Sequence, residues 1–363
     1  MKKLIAIALM LCMLVSLAAC GAKTEAPAEE APAEAAAPAE EAPAEEVVNA
    51  SSENDVAAEE TYEIGYIVST MSHEWYQNIC AGVERRAEEK GVKVTLVDAE
   101  MDSSKQIDFA ENFISQGVDA LIVTPVDPAA MNTIVYSAQE AGIPLIAESS
   151  AFEGMDCFTG ISDFESAHGI GVWMAKYAAE NNIDMKILVV GQPIYQACID
   201  RVDGFLAGLD DEGATYEVVQ EVDGNGTKEG SLEVCNDALT AHPEVNVIFG
   251  INDNSSTGGM NAYKELGYDE SKLTVLGFGF EGTVGRDALL SGGPYKAAVA
   301  MFPDYVGAAL IDSALMILSG EKISTYACPT VVIDNSNFAT YYTDNGDGTY
   351  TTNFAAIDKL LEG

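Results

Sequence analysis

From Tyr62 onward, short apolar runs alternate with stretches of helical periodicity, each pair joined by a polar turn. Ile64, Tyr66, Ile67 and Val68 predict one buried strand of a parallel sheet. That run breaks at Ser69-Thr70-Met71-Ser72 and passes into a helix that starts near His73 and ends near Lys90. A strand follows over Val92–Val97, then a helix over Gln106–Gln116 closed by Gly117, and a strand over Ala120–Val123. Asp127 is placed to cap a helix over 128–141, with Pro128 at its first position, and a strand over Ile143–Ala147 ends at Glu148.

A second set begins after Thr159-Gly160-Ile161-Ser162-Asp163. Helices are expected over Phe164–Asn181, Gln196–Asp210, Thr227–Ala241 and Ser255–Leu266. Strands are expected between and after them, over Lys186–Val190, Tyr216–Val222, Val247–Gly250, Leu273–Phe278 and Ala297–Ala300. Helix Pro303–Leu318 and a short strand over Thr330–Ile333 close the body. Regular alternation means right-handed βαβ units and parallel sheets. Two sets of similar size predict an α/β protein of two similar Rossmann-like domains, with a ligand cleft at the carboxyl ends of their strands.

The first 61 residues follow other rules. Met1-Lys2-Lys3, an apolar stretch from Leu4 to Leu17, and Leu17-Ala18-Ala19-Cys20-Gly21 have the order of an export signal. The last five resemble the lipobox of bacterial lipoproteins, which implies lipidation of Cys20 and anchorage on the outer face of the cytoplasmic membrane. Gly21–Thr61 is nearly all Ala, Pro, Glu, Ser and Asn, a composition that cannot bury enough apolar area to offset its ordering entropy. It reads as an extended tether.

The formal charge of −40 argues against a nucleic-acid partner. Of the 7 cysteines, Cys80, Cys157, Cys198, Cys235 and Cys328 are scattered through apolar surroundings and read as free buried thiols. Neither C-x-x-C nor zinc spacing occurs, and no cofactor or metal is expected. Asp344-Asn345-Gly346-Asp347-Gly348 superficially suggests a calcium loop, but its twelfth position is Ala355, so a hairpin turn is the better reading. The final Phe354–Leu361 segment reads as a short amphipathic helix.

Several stretches, in order, carry a family likeness: Ile64-Gly65-Tyr66-Ile67-Val68-Ser69-Thr70 with Trp75 and Tyr76, Gly117–Pro125, Ala141–Ile146, Leu239–Pro243 with Asn252-Asp253, and Val275-Leu276-Gly277-Phe278. With these the chain resembles the type I periplasmic solute-binding proteins of the ribose/galactose group, the extracytoplasmic receptors of ABC importers. The resemblance implies hinge closure around a small solute and three crossings between domains, near Ser162-Asp163, Met301-Phe302 and Cys328-Pro329. The implied organisation is a signal peptide (1–20), a linker (21–61), an N-terminal lobe (62–162 with 302–328), a C-terminal lobe (163–301 with 329–343) and an extension (344–363). It also implies a permease partner, a monomer, and no catalysis.

Carried over by position, the resemblance places Trp75 and Tyr76 as aromatics against a sugar ring, His73 and Glu148 as polar contacts, and Asn252 as an amide contact, with Asp253 capping the next helix. Four positions depart from the family. Ser149 follows the acid where an arginine is usual, and Ile199 stands at the second arginine position, with Arg201 nearby read as structural. Gly279 holds the usual aspartate position, followed by Phe280, and Met301 holds that of an amide. Tyr195, Phe278 and Phe280 then make an aromatic second wall. A modified or deoxy sugar, a polyol, or a less hydroxylated solute such as a nucleoside or amine all suit this lining. A ligand-sensing receptor for a membrane chemoreceptor or sensor kinase uses the same fold and tether. No G-x-S-x-G, P-loop or H-E-x-x-H supports an enzyme.

Overall fold

The computed structural model describes residues 61–361; the leader, Cys20 and the acidic tether lie outside the described residues. The first lobe is built from β1 (Glu63–Val68), α1 (Glu74–Lys90), β2 (Lys93–Asp98), α2 (Ser103–Gln116), β3 (Ala120–Val123), α3 (Asn132–Ala141), β4 (Leu145–Ala147) and β5 (Cys157–Gly160). The second takes α4 (Asp163–Asn181), β6 (Met185–Gly191), α5 (Gln196–Asp211), β7 (Tyr216–Asp223), α6 (Lys228–Ala241), β8 (Val247–Gly250), α7 (Asp253–Glu265), β9 (Thr274–Gly279), α8 (Thr283–Leu290) and β10 (Tyr295–Ala300). Then come α9 (Pro303–Leu318), β11 (Thr325–Ala327), β12 (Val331–Asp334), α10 (Phe338–Tyr341), the hairpin β13 (Tyr342–Asp344) and β14 (Tyr350–Thr352), and α11 (Phe354–Leu361).

The two large sheets have the same plan. The first runs β2-β1-β3-β4-β5-β11 and is parallel throughout. The second runs β7-β6-β8-β9-β10-β12, parallel except for the last strand, which is antiparallel to β10. Helix α9 packs on α1 and on β3, β4 and β5, while β11 pairs with β5 and β12 with β10. The chain therefore passes between the lobes three times: after β5, after β10 and after β11. Strands β5 and β11 escape the hydrophobic reading because they are short, and the edge strand β11 alternates exposed, half-buried and exposed positions.

Period-two alternation divides each strand between two helical layers. In β1, Ile64, Tyr66 and Val68 join the core under α1 and α9, while Ile67 joins Phe113, Met131 and Ile134 on the opposite face. In β6, Ile187 and Val189 join the core under α4 and α5, and Leu188 and Val190 join the one under α6 and α7. Asp127 caps the 3-10 turn Pro128–Met131 by accepting from Ala129 N at 2.9 Å. The free thiols Cys80, Cys157, Cys235 and Cys328 are buried and Cys198 is half-buried.

The covering helices pack in two close pairs, α1 on α9 and α4 on α5. Glycine makes the approach possible. A Cβ at Gly82 would sit on the Asp304 carbonyl oxygen, one at Gly171 on that of Phe205, and one at Gly208 on that of His168. Gly169, in the same helix as Gly171, has only the Val332 side chain at 3.7 Å from such a Cβ. Gly171→Ala should therefore cost about 1–3 kcal/mol through overpacking. Gly169→Ala should stabilise by about 0.5–1 kcal/mol through helix propensity. Urea midpoints of the two variants check this; equal shifts of the same sign would remove the close-packing account of the pair.

Candidate functional site

The carboxyl ends of both sheets meet at the start of α1. The turn after β1 is pinned from two sides: Met71 N donates to Asp98 Oδ2 at 3.2 Å, and Gln77 Nε2 donates to Met71 O at 2.7 Å. It delivers His73 as the N-cap of α1, with Nδ1 accepting from Trp75 N at 3.1 Å. Desolvation, against the opposing pull of Glu74, lowers the His73 pKa and so favours the neutral ring that a cap requires. The indole of Trp75 packs against the cores of both lobes, and Tyr76 packs on the first. Asn78 Nδ2 donates to Glu281 O at 2.8 Å, joining α1 directly to the second lobe.

Glu148 ends β4 at 1% exposure. Thr124 Oγ1 donates to its Oε2 at 2.7 Å, and Ser149 Oγ to its Oε1 at 2.6 Å, with Tyr66 OH 3.0 Å behind Thr124. Burial pushes its pKa up to about 7, while Ser149, Thr124 and the Trp75 indole pull the other way. Protein hydroxyls therefore already satisfy one lone pair on each oxygen. The Trp75 indole lies close to the same carboxylate.

In the second lobe the cap expected of Asp253 is supplied by Asn252 instead. Asn252 is the N-cap of α7: Oδ1 accepts from Ser255 N at 2.7 Å, and Nδ2 donates to Gly226 O at 3.0 Å. Asp253 turns inward at 6% exposure, accepting from Tyr295 OH at 2.6 Å and Phe280 N at 2.9 Å, and burial pushes its pKa up to about 7.

The aromatic second wall is also corrected. Phe278 is fully buried, and Phe280 packs into the core against Phe338 and Tyr342 at ring separations of 6.2 and 5.6 Å. Tyr195 alone of the three is out on a loop, 50% exposed, and Ile199 is half-buried on the first turn of α5. Gly279 ends β9 at φ +112, with Met301 Cε and the Glu281 carboxylate beside it. Met301 N donates to Gly279 O at 3.0 Å, so the two departures from the family pattern lie side by side.

Two further residues are recruited, Arg201, which the sequence reads as structural, and Glu281, which it passes over. The Arg201 guanidinium lies 4.3 Å over the Phe278 ring. It donates from Nε to Asp163 Oδ1 at 2.7 Å, from Nη1 to Ile251 O at 2.9 Å, and from Nη2 toward Met301 Sδ at 3.8 Å. Glu281 stands beside it, its pKa pushed up to about 8 by desolvation and then by Asp253, with Arg201 opposing. A signal for both was present. Gly-Phe is repeated in tandem at Gly277-Phe278 and Gly279-Phe280, and an acid follows the second pair; Arg201 is the one basic residue in α5.

The junction therefore brings together His73, Trp75, Tyr76 and Glu148 from one lobe with Gly279, Glu281, Met301 and Arg201 from the other. Polar groups, aromatic faces and a dry setting suit capture of a small hydroxylated solute. Two surface hollows of about 400 and 570 Å³ open instead at the amino ends of the second sheet, around Met185–Thr215 and Asp184–Thr274, away from this junction.

The chain matches the periplasmic binding protein domain model over residues 64–322, stopping short of α10 and the segment after it. It is 31% identical over 268 residues to the ribose import binding protein of Bacillus subtilis strain 168, covering 72% of this chain and 83% of that one. Among solved structures it resembles a periplasmic solute-binding protein of an ABC transporter from Actinobacillus succinogenes 130z with bound D-allose. That likeness has a TM-score of 0.70 at 24% identity and covers 77% of this chain and 100% of that one. A solute-binding protein from Bacillus halodurans C-125 with bound myo-inositol gives 0.67 at 23% identity over 77% and 97%. With two like-ordered sheets, three crossings and a junction of aromatic and carboxylate groups between them, the chain belongs to the periplasmic binding protein family.

Proposed function

We propose that this protein captures a sugar or polyol between its two lobes and delivers it to the membrane permease of an ABC importer, without chemistry on the solute. The observation that carries the reading is Trp75, packed against both lobe cores beside the buried carboxylate of Glu148. An aromatic face takes the C–H side of a sugar ring, and a carboxylate takes its hydroxyls. The family's binding proteins for ribose, allose and inositol support the ligand class. Gly279 and Met301 add no polar group of their own, and Glu281 and Arg201 supply polar groups at the same place. The protein acts as a monomer held by a lipid on Cys20, with the acidic tether spacing it from the membrane.

Ligand that binds only the folded state raises the thermal midpoint, by about 2.7 kcal/mol of stability at a hundredfold excess over Kd. A screen of ribose, allose, myo-inositol, nucleosides and amines against the purified protein should give its shift within the sugars and polyols, and Trp75→Ala should abolish it. A shift with nucleosides or amines alone would overturn the ligand class.

Glu148 also sets a pH dependence. Its carboxyl ionises near 4.5 when unfolded and near 7 in the fold. Between these values the folded state holds the extra proton, so its stabilising contribution is full below pH 4.5 and is lost as pH rises through 7. Measured without ligand, the stability of the native protein minus that of Glu148→Gln should fall by about 1.4 kcal/mol per pH unit across this window. A difference that stays flat would refute the assignment.

For the anchor, Cys20→Ser should move the protein from the membrane fraction to the soluble fraction of cells. Retention of that variant on membranes would count against lipidation.

A further inference from the structure

The C-terminal segment from Phe338 to Leu361 is not an appendage to the second lobe. Phe338, Tyr342 and Ile357 are buried in its core together with Leu289, Tyr295 and Phe280. From there the segment reaches the other lobe. Tyr305 OH, at the start of α9, donates to Asp358 Oδ1 at 2.9 Å, and the Tyr305 and Phe354 rings meet edge to face at 5.1 Å. The Arg85 guanidinium of α1 lies 4.6 Å over the Phe354 ring, and Thr352 Oγ1 donates to Asp304 Oδ1 at 3.2 Å. Both ends of the bridge are specific contacts.

What the segment grips in the second lobe is the wall of the candidate site. Phe280 and Phe302 hold left-handed backbone, at φ +52 and +49, where a bulky side chain is disfavoured and persists only if its surroundings impose it. These two residues directly follow Gly279 and Met301. Their rings lie 5.6 and 5.8 Å from that of Tyr342, and Phe302 lies 5.9 Å from Tyr341. Aromatic packing from the C-terminal segment thus over-determines the two turns that present Gly279, Glu281 and Met301.

We propose that residues 338–361 are a non-covalent brace: Phe338 and Tyr342 position the second-lobe wall of the site, and Phe354 and Asp358 tie that wall to α1 and α9 of the first lobe. The brace acts as a fourth connection between the lobes and biases the ligand-free protein toward the closed arrangement. This inference rests on the lobe-closure part of the proposed function and not on the identity of the solute.

The test is amide hydrogen exchange on the full-length, ligand-free protein. Phe354→Ala with Asp358→Ala cuts the first-lobe arm and leaves Phe338, Tyr342 and Ile357 in place. Exchange over 74–78 and 279–282 should quicken at least threefold, with α2 and α3 unchanged, and small-angle scattering should show a larger radius of gyration. Acceleration confined to 342–361 would overturn the brace. Tyr342→Phe should match the native protein, whereas Tyr342→Leu should loosen 279–282 and 300–303 before β6 and β8; if it unfolds the whole lobe, the Phe354/Asp358 variant decides. Lobe opening without any sugar shift in the thermal screen would leave the brace standing and count against the solute class, and the converse would do the opposite.

Discussion

The half-buried ion pair of Arg201 and Asp163 is the point on which the interlobe architecture depends. Asp163 opens α4 directly after the first crossing, and Met301 sits at the second, so one guanidinium gathers two of the three interlobe passages and the end of β8 through Ile251. Both side chains are little exposed, at 16% and 14%. Removing one partner would leave the other desolvated and unpaired, a cost of about 3–5 kcal/mol. The flat ring of Phe278 beneath the guanidinium fixes its plane, which a lysine at that position could not reproduce.

Around this pair the site is rich in carboxyl groups but dry. Glu148, Asp253 and Glu281 all have pKa values raised by desolvation into or near the neutral range. Two are held by hydroxyl and amide donors, Thr124 and Ser149 on Glu148, Tyr295 and the Phe280 amide on Asp253. Hydroxyl partners can reverse their hydrogen bonds when a carboxyl gains or loses a proton, so these groups tolerate either state.

Rigid lobes are the other half of a hinge protein. The two close helix pairs, set by glycines at Gly82, Gly171 and Gly208, hold each covering layer tight against its sheet. Motion is thereby directed to the three crossings, and the C-terminal segment acts across that same seam.

Strand and helix identities were legible in the chain because parallel strands buried on both faces are continuous apolar runs, and helices announce themselves by period and caps. The two-lobe plan followed from their alternation, and His73, Trp75, Tyr76 and Glu148 were legible because they sit at the ends of strong elements. Which groups reach the junction was not. Asn252 and Asp253 are both good caps, and the buried Tyr295 hydroxyl, 42 residues on, together with the Phe280 amide, draws the aspartate inward. Phe280 looks like cleft lining until Phe338 and Tyr342 pack around it, and Arg201 reads as a structural residue of its own helix until Asp163 and Met301 arrive from the crossings. Local propensity is written within a few residues; the direction of a side chain at a junction is set by partners distant in sequence, so tertiary structure alone decided it.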